Sequence, residues 1–171
     1  MSWAVYWLMT ELERRRVVES RRGFEAFLRR VEPRLVEALV ATYGPVDGRV
    51  AAADALSWAW EHWDRASSLA NPGAYLYRVG QSAVRRLGTR ALPVEFVERV
   101  AAQMPEVTPE LLPALGRLSA HQRAVVLLVH GYGWSQRDVA TMLDVTASTV
   151  HQHLTRASER LRAELEVSDA H

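Results

Sequence analysis

SAHQRAVVLLVHGYGWSQRDVATMLDVTASTVHQHLTRASERLR, residues 119–162, reads as a helix, a glycine turn, a second helix, a short break and a long third helix. That layout is what a reader of a DNA groove needs. Ser119 is placed to cap the first helix, SAHQRAVVLLVH, whose apolar face is Ala124, Val125, Leu127, Leu128 and Val129. The helix stops at Gly131-Tyr132-Gly133, where two glycines can take positive φ at no steric cost. Ser135 opens a second helix with Asp138 at capping-box spacing, and Val139, Ala140, Met142 and Leu143 face inward. Asp144-Val145 makes the turn, and Thr146 caps a third helix with Val150, Leu154, Ala157 and Leu161 recurring at helical spacing.

Outward on that third helix remain Ala147, Ser148, His151, Gln152 and Thr155, with His153, Arg156 and Arg160 towards its sides. Small residues at 147 and 148 permit close approach. Gln152 can pair with adenine at two points, and Ser148 or Thr155 can exchange hydrogen bonds with several bases. Flanking arginines hold phosphates. A helical hairpin whose polar face merely meets water has the same spacing, but it needs no such coincidence of caps, turns and Arg156.

The order of residues in LPALGRLSAHQRAVVLLVHGYGWSQRDVATMLDVTASTVHQHLTRASERLR resembles region 4 of the extracytoplasmic-function sigma factors, short members of the sigma-70 family. Leu118, Gln122-Arg123, Gly133, Val139-Ala140, Leu143, Val145, Thr149-Val150 and Arg156-Ala157 stand at the family's characteristic places. LuxR-type response regulator domains share much of this pattern, so the upstream half decides. There, GFEAFLRRVEPRLVEALVATYG, DALSWAWEHWDR and NPGAYLYRVGQSAVRR are similar to the three helices of sigma region 2. A response regulator would carry a receiver or an unrelated sensor instead. The resemblance implies an all-α chain of two small helical domains joined by a flexible linker. Its parts are an N-terminal extension at 1–19, a region 2-like domain at 20–87, a linker at 88–109, a region 4-like helix-turn-helix domain at 110–165 and a tail at 166–171.

Composition agrees with this frame. At 171 residues the chain holds one or two small domains, and without cysteine it has neither disulfides nor a thiolate metal site. All 21 basic residues are arginine, a bias that suggests coding in a GC-rich genome more than mechanism. The net charge of +1 does not by itself advertise nucleic-acid binding; its distribution is more informative, with an ordinary solvated helix face as the equal alternative for any single arginine. Residues 20–90 hold eleven arginines against seven acids, a net of +4, and 91–109 hold one arginine against three acids, a net of −2. A basic front half followed by an acidic connector suits two DNA contacts separated by a linker. Gly88, Pro93, Pro105 and Pro109 punctuate that connector, leaving room for a short helix over 94–103. Trp3 to Met9 is too short to span a membrane and has neither the basic flank nor the cleavage site of a leader, so a cytoplasmic protein is expected, without membrane insertion. Trp3, Tyr6, Trp7 and Met9-Thr10 can form one face of a helix continuing into Glu11 to Arg16, there to dock on a partner or on the chain's own region 2; a frayed end, or a start codon assigned too early, is the alternative.

Within region 2, family members carry an acidic pair and a glutamine that meet the β′ clamp of RNA polymerase. Aligned on Trp60 and Trp63, those places hold Arg49, Val50 and Ala53 here, and only Asp47 and Asp54 keep acidic character. Helical spacing puts Val50, Ala53, Asp54, Ser57 and Trp58 on one face, the expected polymerase-binding surface, now smaller and more apolar. Trp60 and Trp63, in line with Leu56 and Ala52, are expected inward, and Trp58 near the opposite edge, exposed or covered by the N-terminal segment.

Asn71 caps the third helix, with Pro72 at its first position. In the family this helix and the loop before it capture a flipped base of the promoter's −10 element. The residues that resemblance points to here are Tyr75 and Tyr77 for stacking and Arg78, Arg85 and Arg86 for phosphate, although Tyr75 can equally be core packing beside Leu76, Val79 and Ala83.

An enzyme finds no support: there is no glycine-rich phosphate loop, nucleophile elbow or carboxylate cluster. His151 and His153 point about 200° apart on a helix, unlike a helical zinc pair. Neither metal nor cofactor is expected. Two functions remain. One is an alternative sigma factor, with region 4 reading the −35 element and region 2 the −10 element; the other is a sigma-like regulator that binds DNA without productive polymerase binding. For the first, the resemblance implies promoter DNA, the β′ clamp and β flap of core polymerase, and an anti-sigma factor as partners.

Overall fold

The computed structural model describes residues 3–87 and 111–168, and every regular element among them is helical. The sequence readings for 88–110, including the linker and its short helix, lie outside the described residues, as do the side chains of residues 3–10.

Helix α1, Trp3–Tyr43, runs unbroken across residue 20, so the N-terminal extension and the first region 2 helix are one element. Its exposed part is stitched by same-face pairs, Glu11 with Arg14 and Arg15 and Arg21 with Glu25. Pro33 sits inside the helix on an exposed turn, where it lacks the N–H that would reach the carbonyl of Arg29. Gly44 stops α1 at φ 90°, a conformation that a side chain opposes, and its N–H closes on Val40 at 2.8 Å. Pro45 then opens α2, Pro45–Glu61.

The second helix thus begins nine residues before DALSWAWEHWDR and breaks within it, at His62 (φ −119°). A short α3, Trp63–Ser67, follows. The buried stripe of α2 is Gly48, Ala51, Ala52, Ala55 and Ala59, not its tryptophans. A Cβ on Gly48 would lie 2.6 Å from the carbonyl oxygen of Leu39 and from N and Cα of Val40. Small residues therefore let α2 touch the backbone of α1, and no room remains there for a large ring. Trp60 is displaced outward and is 47% exposed, a correction to its expected burial; it keeps one edge against Phe24, centroids 4.9 Å apart. Trp63 is half-buried, edge-on to Phe24 and Phe27.

Helix α4, Pro72–Leu87, starts as expected, with the Ala74 N–H donating to Asn71 Oδ1 at 3.1 Å. Leu76, Tyr77, Ala83 and Val84 are buried against α1 and α2. The second half comprises α5 (Leu111–Arg117), α6 (Ala120–Val126), α7 (Gln136–Leu143) and α8 (Ala147–Ser168). Helix α6 widens into a π turn, Leu127–Gly131, before the chain reverses. Of the two glycines expected there at positive φ, only Gly133 is, at 70°. Helix α8 packs on α5, α6 and α7 through Val150, Leu154 and Ala157. The two halves also meet, α1 against α6 and α4 against α7. Among the described residues no helix is long and apolar enough to cross a membrane.

Candidate nucleic-acid interface

Three caps hold the helix-turn-helix. Ser119 Oγ accepts from the N–H of Gln122, whose side chain accepts from the N–H of Ser119, a complete capping box. Ser135 Oγ accepts from the N–H of Asp138 and donates to its carboxylate. That hydroxyl, helped by Arg34, holds the Asp138 carboxyl below the usual range. Asp144 takes the left-handed conformation (φ 55°) at the turn, and Thr146 caps α8 through the N–H of Thr149.

With both helices pinned, the first turns of α8 present Ala147, Ser148, His151 and Gln152 to solvent as expected, followed by exposed Thr155 and Arg156. The Thr155 hydroxyl donates to the carbonyl of His151 and keeps only acceptor capacity for a base. Arg160 is exposed but turns back, its Nη1 reaching Gln122 Oε1 at 3.4 Å. His153 is half-buried with its ring stacked on His121, centroids 6.2 Å apart. Burial, then the charges of His121 and Arg156, lower its pKa from the ordinary histidine value, so it stands neutral beside the reading face.

The −10 candidates divide. Tyr77 is 1% exposed, with its hydroxyl 2.8 Å from Thr42 Oγ1, so it is a core residue and stacks on no base. Burial raises its pKa far above that of a free tyrosine. Arg85 and Arg86 are exposed at the end of α4, and Arg78 is exposed but paired with Asp144 at 2.6 Å. Tyr75 is half-buried in a cluster that the sequence reading missed. Trp58 lies 5.0 Å from Tyr75, His62 stacks on Trp58 at 4.7 Å with planes 13° apart, and the Arg65 guanidinium sits over both Trp58 (5.8 Å) and Tyr75 (5.5 Å). The cluster joins the end of α2, α3 and the start of α4, beside the loop that caps α4. The break at His62 creates it, and helical spacing carried no signal for that break. Trp58, grouped by spacing with the polymerase face, thus packs with Tyr75, while Val50, Ala53, Asp54 and Ser57 remain together on the exposed side of α2.

Residues 110–161 match the family model described as Sigma-70, region 4. The chain is 32% identical over 136 residues to an RNA polymerase sigma-E factor of Streptomyces antibioticus, covering 73% of this chain and 74% of that protein. It is 32% identical over 158 residues to the protein of the same name from Streptomyces avermitilis, covering 85% and 87%. Its fold is similar to that of the sigma factor RpoE, solved in complex with the anti-sigma factor NepR from Bartonella quintana, with a TM-score of 0.54 and 24% identity over 84% of this chain and 97% of that one.

Proposed function

Because the chain belongs to the extracytoplasmic-function sigma factors of the sigma-70 family, we propose that it works by placing α8 at a −35 element and the α2–α4 cluster at a −10 element. It binds core RNA polymerase and directs promoter-specific initiation of transcription. A sigma-like regulator without productive polymerase binding is not favoured, since the similarity to the sigma-E factors extends over both halves of the chain.

The observation that carries the site assignment is the exposed run Ala147, Ser148, His151, Gln152 at the N-terminal end of a helix capped by Thr146, with Arg156 beside it. Small residues admit the helix to the major groove, Gln152 and Ser148 read base edges, and Arg156 holds phosphate. At the other end, Tyr75, His62 and Trp58 offer ring faces, and Arg65, Arg85 and Arg86 supply charge for a single strand exposed by melting. Val50, Ala53, Asp54 and Ser57 form the surface for the β′ clamp, while the helix-turn-helix domain meets the β flap. In this reading the polymerase performs the chemistry and the chain acts beside it in the cytoplasm. An anti-sigma factor is a further partner consistent with this family.

The test is reconstitution. The purified chain should co-elute with bacterial core polymerase in gel filtration at moderate salt and confer start-site-specific transcription on it. Retained DNA binding without co-elution would overturn this reading in favour of a stand-alone regulator.

A further inference from the structure

The outer part of α1 takes no part in the promoter and clamp surfaces, yet it builds one wall of a groove. The groove runs between α1 and the junction of α2 with α3, has a volume of about 640 Å³, and holds Glu13, Val17, Trp60, Glu61, Trp63 and Asp64 in its walls. Aromatic contacts close its inner end, where the Phe24 ring centroid lies 4.9 Å from that of Trp60 and 5.4 Å from that of Trp63. Glu13, Val17, Ser20 and Phe24 fall three or four residues apart and so form one stripe along the helix. From Glu13 to Phe24 that stripe is about 16 Å long, enough for a second helix of about three turns.

The outer stripe is unpartnered. Among the described side chains of α1 the first buried one is Phe27, and Val17 stands 65% exposed. Exposed ion pairs such as Glu11 with Arg14 and Arg15 contribute little, and a helix draws most of its stability from packing one face. The walls say what would pack there. Trp60 is held along one edge by Phe24 and offers the rest of its indole already fixed in place, the kind of side chain that anchors a protein contact. Around it stand the carboxylates of Glu13, Glu61 and Asp64, and among the described residues no basic side chain lines the groove. None of these three acids has an ion-pair partner among the described residues. Carboxylates beside an indole call for cations flanking an apolar surface. The chain's own segments do not answer: the connector at 91–109 has a net charge of −2, and the tail carries Glu166 and Asp169 without a lysine or arginine. A second copy answers less well, since Arg14, Arg15 and Arg21 of its α1 are already paired with Glu11 and Glu25.

We infer that this groove is a docking site for a basic amphipathic helix of another protein, separate from the surface assigned to the clamp. The incoming helix lays its apolar face on Val17 and Trp60 and sets lysine or arginine against Glu13, Glu61 and Asp64. Trp60 is the ridge that divides the two surfaces: on its far side Ala53 and Ser57 line a different groove with Leu28 and Leu56. A helix seated against Val17 therefore leaves Val50, Ala53, Asp54 and Ser57 uncovered. The carboxylates set the orientation and speed of docking more than its strength, which comes from covering Val17 and the indole.

The probe is a fluorescein-labelled peptide of about eighteen residues with leucine on one helical face and lysine on the other, and its leucine–glutamate twin is the control. In anisotropy titrations with the full chain, the lysine peptide should bind at least about tenfold more tightly than the glutamate twin. Val17→Lys, at a position open to water where the fold tolerates it, removes the apolar contact and repels the peptide, and should weaken binding about tenfold. Glu13→Gln with Glu61→Gln should weaken it about threefold at low salt, a difference that disappears at high salt. Co-elution of Val17→Lys with core polymerase should be unchanged. Equal binding of the two peptides overturns the proposal, as does equal binding of the lysine peptide by the unaltered chain and Val17→Lys; sedimentation then tells a second copy in the groove, seen as a dimer that Val17→Lys abolishes, from the chain's own connector. Loss of core binding by Val17→Lys also overturns it, by making the groove part of the polymerase surface.

Discussion

Gly48→Ala should destabilise the protein even though alanine is the better helix former. The added Cβ would sit 2.6 Å from three backbone atoms of α1, where ordinary contact begins near 3.4 Å, so α2 must retreat by about 0.8 Å. No side chain can rotate away, since Leu39 O and Val40 N and Cα belong to the helix itself. Overpacking costs typically about 1–3 kcal/mol, and a clash with rigid backbone belongs at the top of that range. Exchange of glycine for alanine inside a helix returns about 1 kcal/mol. The net is a loss of about 2 kcal/mol, or a fall in Tm of roughly 4–8 °C for a chain of this size. Urea unfolding followed by circular dichroism measures it, with Gly116→Ala as the control: nothing lies within 4 Å of a Cβ there, so the same exchange should stabilise by up to about 1 kcal/mol. If Gly48→Ala gained stability as Gly116→Ala does, the close approach of α2 to α1 would be wrong, and with it the explanation of why Trp60 faces out.

At the reading helix, Arg156→Ala should weaken all DNA binding and reduce the salt slope by about one unit, whereas Gln152→Ala should relax preference at one base pair at a cost of about 1–3 kcal/mol; fluorescence anisotropy across salt and across substituted duplexes separates the two. Arg65→Ala should slow promoter opening, read by permanganate reactivity of unpaired thymines, without changing core binding; equal loss of both would remove Arg65 from the strand-binding cluster. The pKa of His153 is lowered in the fold, so the unfolded chain takes up protons more readily. Its contribution to stability is therefore present above the unfolded value of about 6.5 and lost as pH falls through the folded one, and His153→Gln should flatten the fall in stability below the unfolded value. Val50 is 43% exposed in the surface assigned to the clamp, so Val50→Asp should weaken core binding by about 1 kcal/mol or more, with Kd from titration of labelled protein as the readout.

The helix-turn-helix was legible almost residue by residue because its boundaries are written in local chemistry. Ser119, Ser135, Thr146 and Asn71 cap by hydrogen bonds to backbone three residues on, and such signals need no tertiary context. The burial of Val150, Leu154 and Ala157 follows from spacing alone. Helix α2 was less legible because one of its largest apolar side chains, Trp60, does not face inside. Its inner stripe is instead alanine and glycine, and a stripe of small residues shows as an interior only once a second helix is known to press on it. The same blindness misplaced Tyr77. Its phenol looked available for stacking, but it ends on Thr42, thirty-five residues away, and a hydrogen bond at that separation leaves no trace in periodicity.

The cluster of Trp58, His62, Arg65 and Tyr75 depends on the break at His62. In a helix continuing from Asp54 through Arg65, Arg65 would stand two turns, about 10 Å, along the axis from Trp58. When the helix ends at Glu61 and restarts at Trp63, Arg65 swings over Trp58 and Tyr75, and the two rings become one surface. The His62 ring is held at 3.0 Å from the carbonyl of Trp58, the acceptor that also takes the His62 N–H. One residue thus ends the helix and stacks on its last inward-turned aromatic. The exposed group Val50, Ala53, Asp54 and Ser57 and the cationic aromatic cluster at the end of α2 are two distinct surfaces, since Trp58 packs against Tyr75 and lies under Arg65. A substitution on the first face should alter affinity for the polymerase, and one on the second should alter the opening of the promoter once the polymerase is bound.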